Sequence, residues 1–503
     1  MIEIKDFEPR LYQTKILETA KAKNTLVILP TGLGKTYISL LLSIHRLNQF
    51  PDSKILLVAP TKPLCNQHYQ SFTKNITLDK ENIVLVTGLI SPEKRKKIYQ
   101  EAKIIIATPQ TIQSDIKNKR INLENISALT IDECHRSRQN FANTIISQHY
   151  IKKSKSPRIL ALTASPGSTK KKINEIKENL FIDAIEIRDE ESEDVLPYVQ
   201  KKVIQHLEVE LPSEFKQIHK LVSIIYKESL QKLKGLGLTK PLSIINKRDL
   251  ISFQTYMFSE AKHGNRTAYY AISLTAQAIK LSHSMELLET QGLIPFCKFL
   301  KKVESETSKA AKAINNSAEI IKAKKSAEEL ILKKIKHPKI NKLKEIAKDE
   351  LEKDSNSKII IFANFRDTVK NITKELEEIP KASPVILIGQ KEGITQKKQL
   401  ETLKDFEQGK YNIIVTTSIG EEGLDIKGGL SIAIFFDAVA STIRLVQRSG
   451  RVGRLEAGKI IHLITKNTRD QGYFWKSLKE KKKMKNIIKG MQGKLEKQTT
   501  LQT

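Results

Sequence analysis

The sequence predicts an α/β protein made of two parallel-sheet units separated by an all-helical insertion. Three observations predict it. Over residues 1 to about 185, short continuous apolar runs ending in Pro, Gly, Thr, Ser or Asp alternate with amphipathic stretches, as strands buried on both faces of a parallel sheet do. A second series of the same kind occupies 357 to 465. Between them, from about 195 to 345, strand-like runs nearly vanish, Lys is dense and apolar residues recur at helical spacing. The expected division is 1–190 for the first unit, 191–345 for the insertion, 346–475 for the second unit and 476–503 for a Lys-rich tail.

In the first unit the strand runs are "NTLVILP" (24–30), "KILLVAP" (54–60), "NIVLVTG" (82–88), "KIIIATP" (103–109), "ALTID" (128–132) and "RILALTAS" (158–165). Polar loops then gather at the carboxyl edge of the sheet, where α/β proteins bind ligands. The acidic stretch "RDEESEDV" (188–195) reads as a solvated linker rather than a metal site. In the insertion, "EFKQIHKLVSIIYKESLQKL" and "TAYYAISLTAQAIKLSHSMELLE" carry helical apolar stripes. The second unit supplies "SKIIIFANF", "SPVILIG", "YNIIVTTS", "LSIAIFFDA" and "GKIIHLIT". The Lys-rich end, 476 to 494, reads as a solvated helix face, and "QTTLQT" (498–503) as a polar disordered end.

A chain of 503 residues with 39% hydrophobic content suits two or three ordinary domains. Its net charge of +30 favours a polyanionic partner, nucleic acid before ribosome or membrane surface, over a merely solvated lysine coat. Cys65, Cys134 and Cys297 stand far apart without a CxxC pair, which excludes a zinc ribbon or disulfide framework and points to a reducing compartment. "MIEIKDFEPRLYQ" lacks the plan of a signal peptide, and no apolar run approaches the roughly 18 residues of a membrane span. The expected location is the cytoplasm, associated with the nucleoid, with no membrane partner.

"LPTGLGKT" (29–36) follows an apolar strand and opens the amphipathic "YISLLLSIHRL". A strand, loop and helix in that order aim backbone N–H groups and the positive helix end at phosphates. In the candidate cradle Thr31, Gly32, Leu33, Gly34, Lys35 and Thr36, the glycines allow close backbone approach, Lys35 neutralises β and γ phosphates, and Thr36 holds Mg²⁺. Leu29 stands where the general P-loop pattern has its first glycine. On a second buried strand, "IDECHRS" (131–137) places Asp132 to position the water shell of Mg²⁺ and Glu133 to take a proton from the attacking water. Phosphoryl transfer needs no protein nucleophile, so Cys134 reads as a packing residue.

"DECH", the P-loop, "TASP" (163–166) and "QRSGRVGR" (447–454) have the order and spacing of superfamily 2 helicases of the DExH type. In detail "RLYQTKIL", "APTKPLCNQH", "ATPQT", "LTASPGS" and "VTTSIGEEGLDI" resemble the helicase part of archaeal Hef and the related Fanconi anaemia M-type DNA translocases. The insertion plan also resembles double-stranded RNA sensors of the RIG-I type. The resemblance implies two RecA-like units and assigns roles at matching positions. Phe7, Arg10 and Gln13 match the adenine-reading segment. Thr61, Lys62, Gly88, Thr108 and Gln110 match positions that hold a nucleic-acid backbone. Thr163 and Ser165, with His135, match the link between hydrolysis and movement. From the second unit, Arg366, Thr416, Thr417 and Ser418 would grip the strand and Asp425 would contact the ribose side. Gln447 would face the γ-phosphate or its water, and Arg451 and Arg454 match arginine fingers.

What this resemblance implies is ATP bound between the two units, with Mg²⁺, and hydrolysis coupled to movement along DNA, forked or branched, through contacts made mainly to the backbone. An RNA helicase or double-stranded RNA translocase, and an ATP-gated nucleic-acid scaffold, stay open as alternatives. Full-length Hef continues into a nuclease. No "ERK" with a spaced Asp follows residue 465, and too few residues remain for that domain. A nuclease domain or subunit and a sliding clamp are accordingly candidate partners, the latter because "QTTLQT" resembles the start of a clamp-binding peptide without its aromatics.

Overall fold

A computed structural model describes residues 1–5, 7–137, 141–167, 169–199, 203–389, 396–417, 430–438 and 458–500. Seven strands form the first sheet: β1 (Thr25–Ile28), β2 (Lys54–Val58), β3 (Ile83–Val86), β4 (Ile104–Ala107), β5 (Ile126–Ile131), β6 (Ile159–Thr163) and β7 (Ala184–Ile187). Their spatial order is β3-β4-β2-β5-β6-β1-β7, and every pairing is parallel. The apolar runs are continuous because both faces are covered. Along β1, Leu26 and Ile28 join one core cluster while Val27 and the following Leu29 join another on the opposite face.

The second sheet contains β8 (Val203–Val209), β9 (Ile359–Phe362), β10 (Pro384–Leu387), β11 (Ile413–Thr416), β12 (Ile432–Phe435) and β13 (Lys459–Thr465). Its order is β10-β11-β9-β12-β13-β8, again all parallel. The same alternation divides Ile359 and Ile361 from Ile360 and Phe362. Between the sheets lies a helical bundle, in which Ser213–Gly235 and Arg266–Thr290 pack with Leu293–Glu304 and Ala318–Leu332 around Phe215, Leu281, Phe296 and Ala323.

Two segments depart from the expected division. β8 falls within the stretch read as helical yet pairs with β13 along its whole length. As an edge strand it is largely exposed, so its residues include Gln205, His206 and Glu208 and give no apolar run. The helix Pro338–Lys353 begins inside the expected insertion but buries Ile340, Leu343 and Leu351 in the second unit's core.

The Lys-rich tail is also more than a solvated face. The helix Arg469–Thr500 carries Met484, Ile487 and Met491 at helical spacing onto the first unit's core beside Ile185 and Ile187, and Lys485 pairs with Glu191. Thus the last helix ties the second unit back to the first. No helix among the described residues is long and apolar enough to cross a membrane.

Candidate functional site

All strands of the first sheet run parallel, so their carboxyl ends share one edge. The strand order sorts the candidate residues along it. The cradle follows β1, Asp132 with Glu133 follows β5, and Thr163 ends β6 with Ser165 just beyond it, and these three strands are consecutive in the sheet. Lys62, Gly88 and Thr108 follow β2, β3 and β4, which fill the other side. The two groups meet where β2 pairs with β5.

After β1 the chain turns through Gly32 and Gly34, at φ of 85° and 73°, a left-handed backbone that glycine adopts without a Cβ penalty. The helix Lys35–Gln49 has no acidic residue in its first turn, so its positive end remains available to an anion. Lys35 Nζ donates to the carbonyls of Leu29 (3.0 Å) and Pro30 (3.3 Å), which holds the ammonium over the loop. Thr36 is the second residue of that helix.

The helix Leu11–Ala22 buttresses the cradle. The Tyr12 hydroxyl donates to Leu33 O at 2.8 Å. Gln13 Nε2 donates to Gly34 O at 3.4 Å while its Oε1 accepts from Arg10 N at 2.9 Å. Arg10 lies over the Tyr198 ring at 4.6 Å, and Phe7 stacks on Tyr37 with centroids 3.8 Å apart. Phe7, Arg10 and Gln13 are therefore brought together against the loop. Tyr12, Tyr37 and Tyr198 take part in this wall without having been singled out by sequence.

At the end of the fully buried β5, Asp132 is 7% exposed. Its Oδ1 accepts from Glu133 N at 2.9 Å, and its Oδ2 lies 2.8 Å from His68 Nε2. Burial pushes this carboxyl up, but the His68 hydrogen bond, the His68 and Lys35 charges and the Glu133 amide outweigh burial and hold it below the ordinary carboxylate range. Glu133 sits at φ 50° and ψ 47°, a strained region for a residue with a Cβ. Its Oε2 is 3.1 Å from His135 Nδ1 without hydrogen-bond geometry, and is buried with no protein hydrogen-bond partner. His135 Nδ1 in turn is 3.2 Å from Thr163 Oγ1, which accepts from Ser165 N at 3.1 Å. Burial, first of all, pushes the Cys134 thiol well up, which fits packing rather than thiolate chemistry.

The hydroxyl of Thr36 and the carboxylate of Asp132 are hard oxygen donors of the kind Mg²⁺ takes, and the buried, unbonded Glu133 Oε2 offers an acceptor to a water beside them. The donor chemistry thus fits the ion.

Sequence reasoning passed over His68. Cys65, His68 and Phe72 form the buried stripe of the helix Lys62–Asn75, and a histidine on such a stripe needs a polar partner. That was the available signal.

Among the residues expected to hold a nucleic-acid backbone, Thr61 caps that helix and accepts from Leu64 N at 3.5 Å, Gly88 is exposed, Thr108 Oγ1 meets Thr111 Oγ1 at 2.8 Å and Gln110 is exposed. In the second sheet Arg366 opens a helix after β9 and donates to Gly389 O at 3.4 Å. Thr416 corrects an expectation. It is fully buried and its hydroxyl donates to Leu387 O at 2.7 Å, so that group does not face a strand. Thr417 is 7% exposed. Ser418, Asp425, Gln447, Arg451 and Arg454 lie outside the described residues.

The family model "DEAD/DEAH box helicase" matches residues 10–173, and "Helicase conserved C-terminal domain" matches 338–456. Residues 214–360 match a third, described as "Putative ATP-dependent RNA helicase, helical bundle". The crystal structure of the Pyrococcus furiosus Hef helicase domain is 40% identical, covers 93% of this chain and 98% of its own, and superposes with a TM-score of 0.73. The chain belongs to the Hef group of DEAD/DEAH-box helicases. Other members match over nearly the whole of this Hef-group chain. The Methanocaldococcus jannaschii protein named "Putative ATP-dependent RNA helicase" is 38% identical over 98% of this chain, and Schizosaccharomyces pombe "ATP-dependent DNA helicase fml1" is 35% identical over 91%. The chain spans 62% and 57% of the length of these two curated relatives.

Proposed function

We propose that this chain is an ATP-dependent DNA helicase or translocase that acts on forked or branched DNA in replication-fork repair. The observation that supports the reading is that Gly32–Thr36, Asp132 and Glu133 stand on one side of a sheet edge and Lys62, Gly88 and Thr108 on the other, the two sides meeting at β2 and β5. The similarity to the Pyrococcus Hef helicase domain and to the DNA helicase fml1 supports DNA as the polymer.

In this reading ATP phosphates lie on the Gly32–Thr36 backbone with Lys35 as counter-charge, and Phe7, Arg10 and Gln13 read the base. Mg²⁺, when bound through Thr36 and Asp132, supplies charge neutralisation at the β and γ phosphates. Glu133 takes a proton from the water that attacks the γ-phosphorus, and ADP leaves. His135, Thr163 and Ser165 pass loss of the γ-phosphate to the rest of the edge. Asp425, Gln447, Arg451 and Arg454 of the second unit complete the site when the units close, an arginine finger contributing on the order of 10³ to 10⁵ in rate. Thr61, Lys62, Gly88, Thr108, Gln110, Arg366, Thr417 and Ser418 hold the strand backbone, so sequence preference is low. A companion nuclease and a sliding clamp belong to the same proposal.

The printed names of the Methanocaldococcus relative and of the helical-bundle model favour RNA as the second reading. The deciding measurement is ATP hydrolysis with single-stranded DNA, forked DNA, four-way junctions and double-stranded RNA side by side. Strongest stimulation by forks or junctions supports the first reading, and preferential stimulation by RNA overturns it. Binding should also weaken steeply between about 50 and 200 mM salt, as phosphate contacts release counterions.

A further inference from the structure

The residue that joins the two halves of the edge is His68. It rises from the helix Lys62–Asn75, which follows β2, and reaches Asp132, which follows the neighbouring β5. Thr61 and Lys62, proposed to hold a nucleic-acid backbone, stand at the start of that same helix, about 9 Å along its axis from His68. The His68 side chain is 4% exposed. Its Nε2 is 2.8 Å from Asp132 Oδ2, and its Nδ1 is buried with no hydrogen-bond partner. A buried histidine kept only for packing would satisfy both nitrogens. Here the polar chemistry of the ring is directed at one carboxylate.

That carboxylate is held at two points. The Glu133 amide fixes Oδ1 and His68 fixes Oδ2. The Glu133 amide belongs to the same turn as Asp132, so it moves with the group it holds. Among the described residues His68 gives that carboxylate a side-chain hydrogen bond from another element, the helix that begins beside Thr61 and Lys62, the proposed strand contacts.

We propose that His68 is a positioning residue that transmits strand binding at Thr61 and Lys62 to the orientation of the Asp132 carboxylate. A small shift of the helix on gripping a phosphate backbone carries Nε2 with it and turns the carboxylate towards the geometry that the ion's water shell requires. The assignment rests on the functional reading above, and it adds the route by which nucleic acid stimulates hydrolysis.

The test uses the full chain with His68→Leu, His68→Gln and His68→Asn. The Gln amide reaches as far as the histidine Nε2, whereas the Asn amide is too short to reach Oδ2. In His68→Leu and His68→Asn, affinity for a fluorescent ATP analogue in Mg²⁺ should fall about 10-fold to 100-fold, with affinity in EDTA held within about twofold. The ratio of DNA-stimulated to unstimulated hydrolysis should fall about tenfold as well, while affinity for single-stranded DNA without nucleotide holds. His68→Gln should restore most of both. If His68→Leu does not fold, the Gln and Asn pair carries the comparison. Wild-type Mg²⁺ dependence and stimulation ratio in a folded Leu or Asn variant overturn the assignment, as does a folded His68→Gln that restores neither. A wild-type chain that no nucleic acid stimulates overturns the functional reading instead.

Discussion

A side chain on Gly34 would place its Cβ 2.5 Å from Gln13 Nε2, so the phosphate loop and the helix before β1 are fitted to each other at van der Waals contact. Gly34 also lies at φ 73°. Gly34→Ala thus meets a steric conflict and a left-handed strain of roughly 1 to 2 kcal/mol together. Nucleotide affinity, measured by fluorescence titration, should fall at least about tenfold. Adding Gln13→Ala removes the steric contact but also a residue proposed to read the base, so the double variant should regain folding stability in denaturant unfolding without regaining nucleotide affinity.

Glu133 combines a strained backbone with a buried, unbonded carboxylate oxygen. Glu133→Gln should lower ATP turnover by about 10² or more while ATP binding persists, because the cradle contacts are untouched. Glu133→Gly should be equally inactive yet gain about 1 kcal/mol or more of stability by releasing the left-handed strain. Turnover and denaturant unfolding on the same samples check both.

His337 makes stability fall in mild acid. Burial, reinforced by the charge of Lys339, pushes its imidazole down to about 3. In the unfolded chain it titrates near 6.5, so below that pH the unfolded chain takes up a proton that the folded chain refuses. Stability is therefore intact above about pH 6.5 and lost as pH falls toward 3, by about 2 kcal/mol at pH 5. His337→Asn, which keeps an N-cap acceptor for the helix Pro338–Lys353, should reduce the difference between pH 7 and pH 5 unfolding curves by about that amount.

Lys339 is fully buried and donates to Asp470 Oδ2 at 2.5 Å and to Phe436 O at 2.7 Å. Lys339→Met leaves the buried Asp470 without its cation and should cost about 3 to 5 kcal/mol. The double change with Asp470→Asn should recover part of that loss, giving a coupling energy of about 1 to 3 kcal/mol in denaturant unfolding.

Much of this protein was legible because its strands are covered on both faces. Ile104–Ala107 or Ile359–Phe362 can be read as strands without a partner in view, and the chemistry of the P-loop and of Asp132 with Glu133 lies in consecutive residues. β7 and β8 were not legible. Each stands at a sheet edge, so β7 alternates in burial and β8 is mostly exposed, and neither forms a continuous apolar run.

The sequence by itself determined the class of fold, the phosphate cradle and the acidic turn, since each depends on residue types within a few positions of one another. Tertiary structure alone decided that Val203–Val209 completes the second sheet, that Met484 and Ile487 anchor the last helix on the first unit, and that His68 meets Asp132. Those contacts join residues far apart in the chain. Local propensity and spacing carry no record of which distant element will pack opposite.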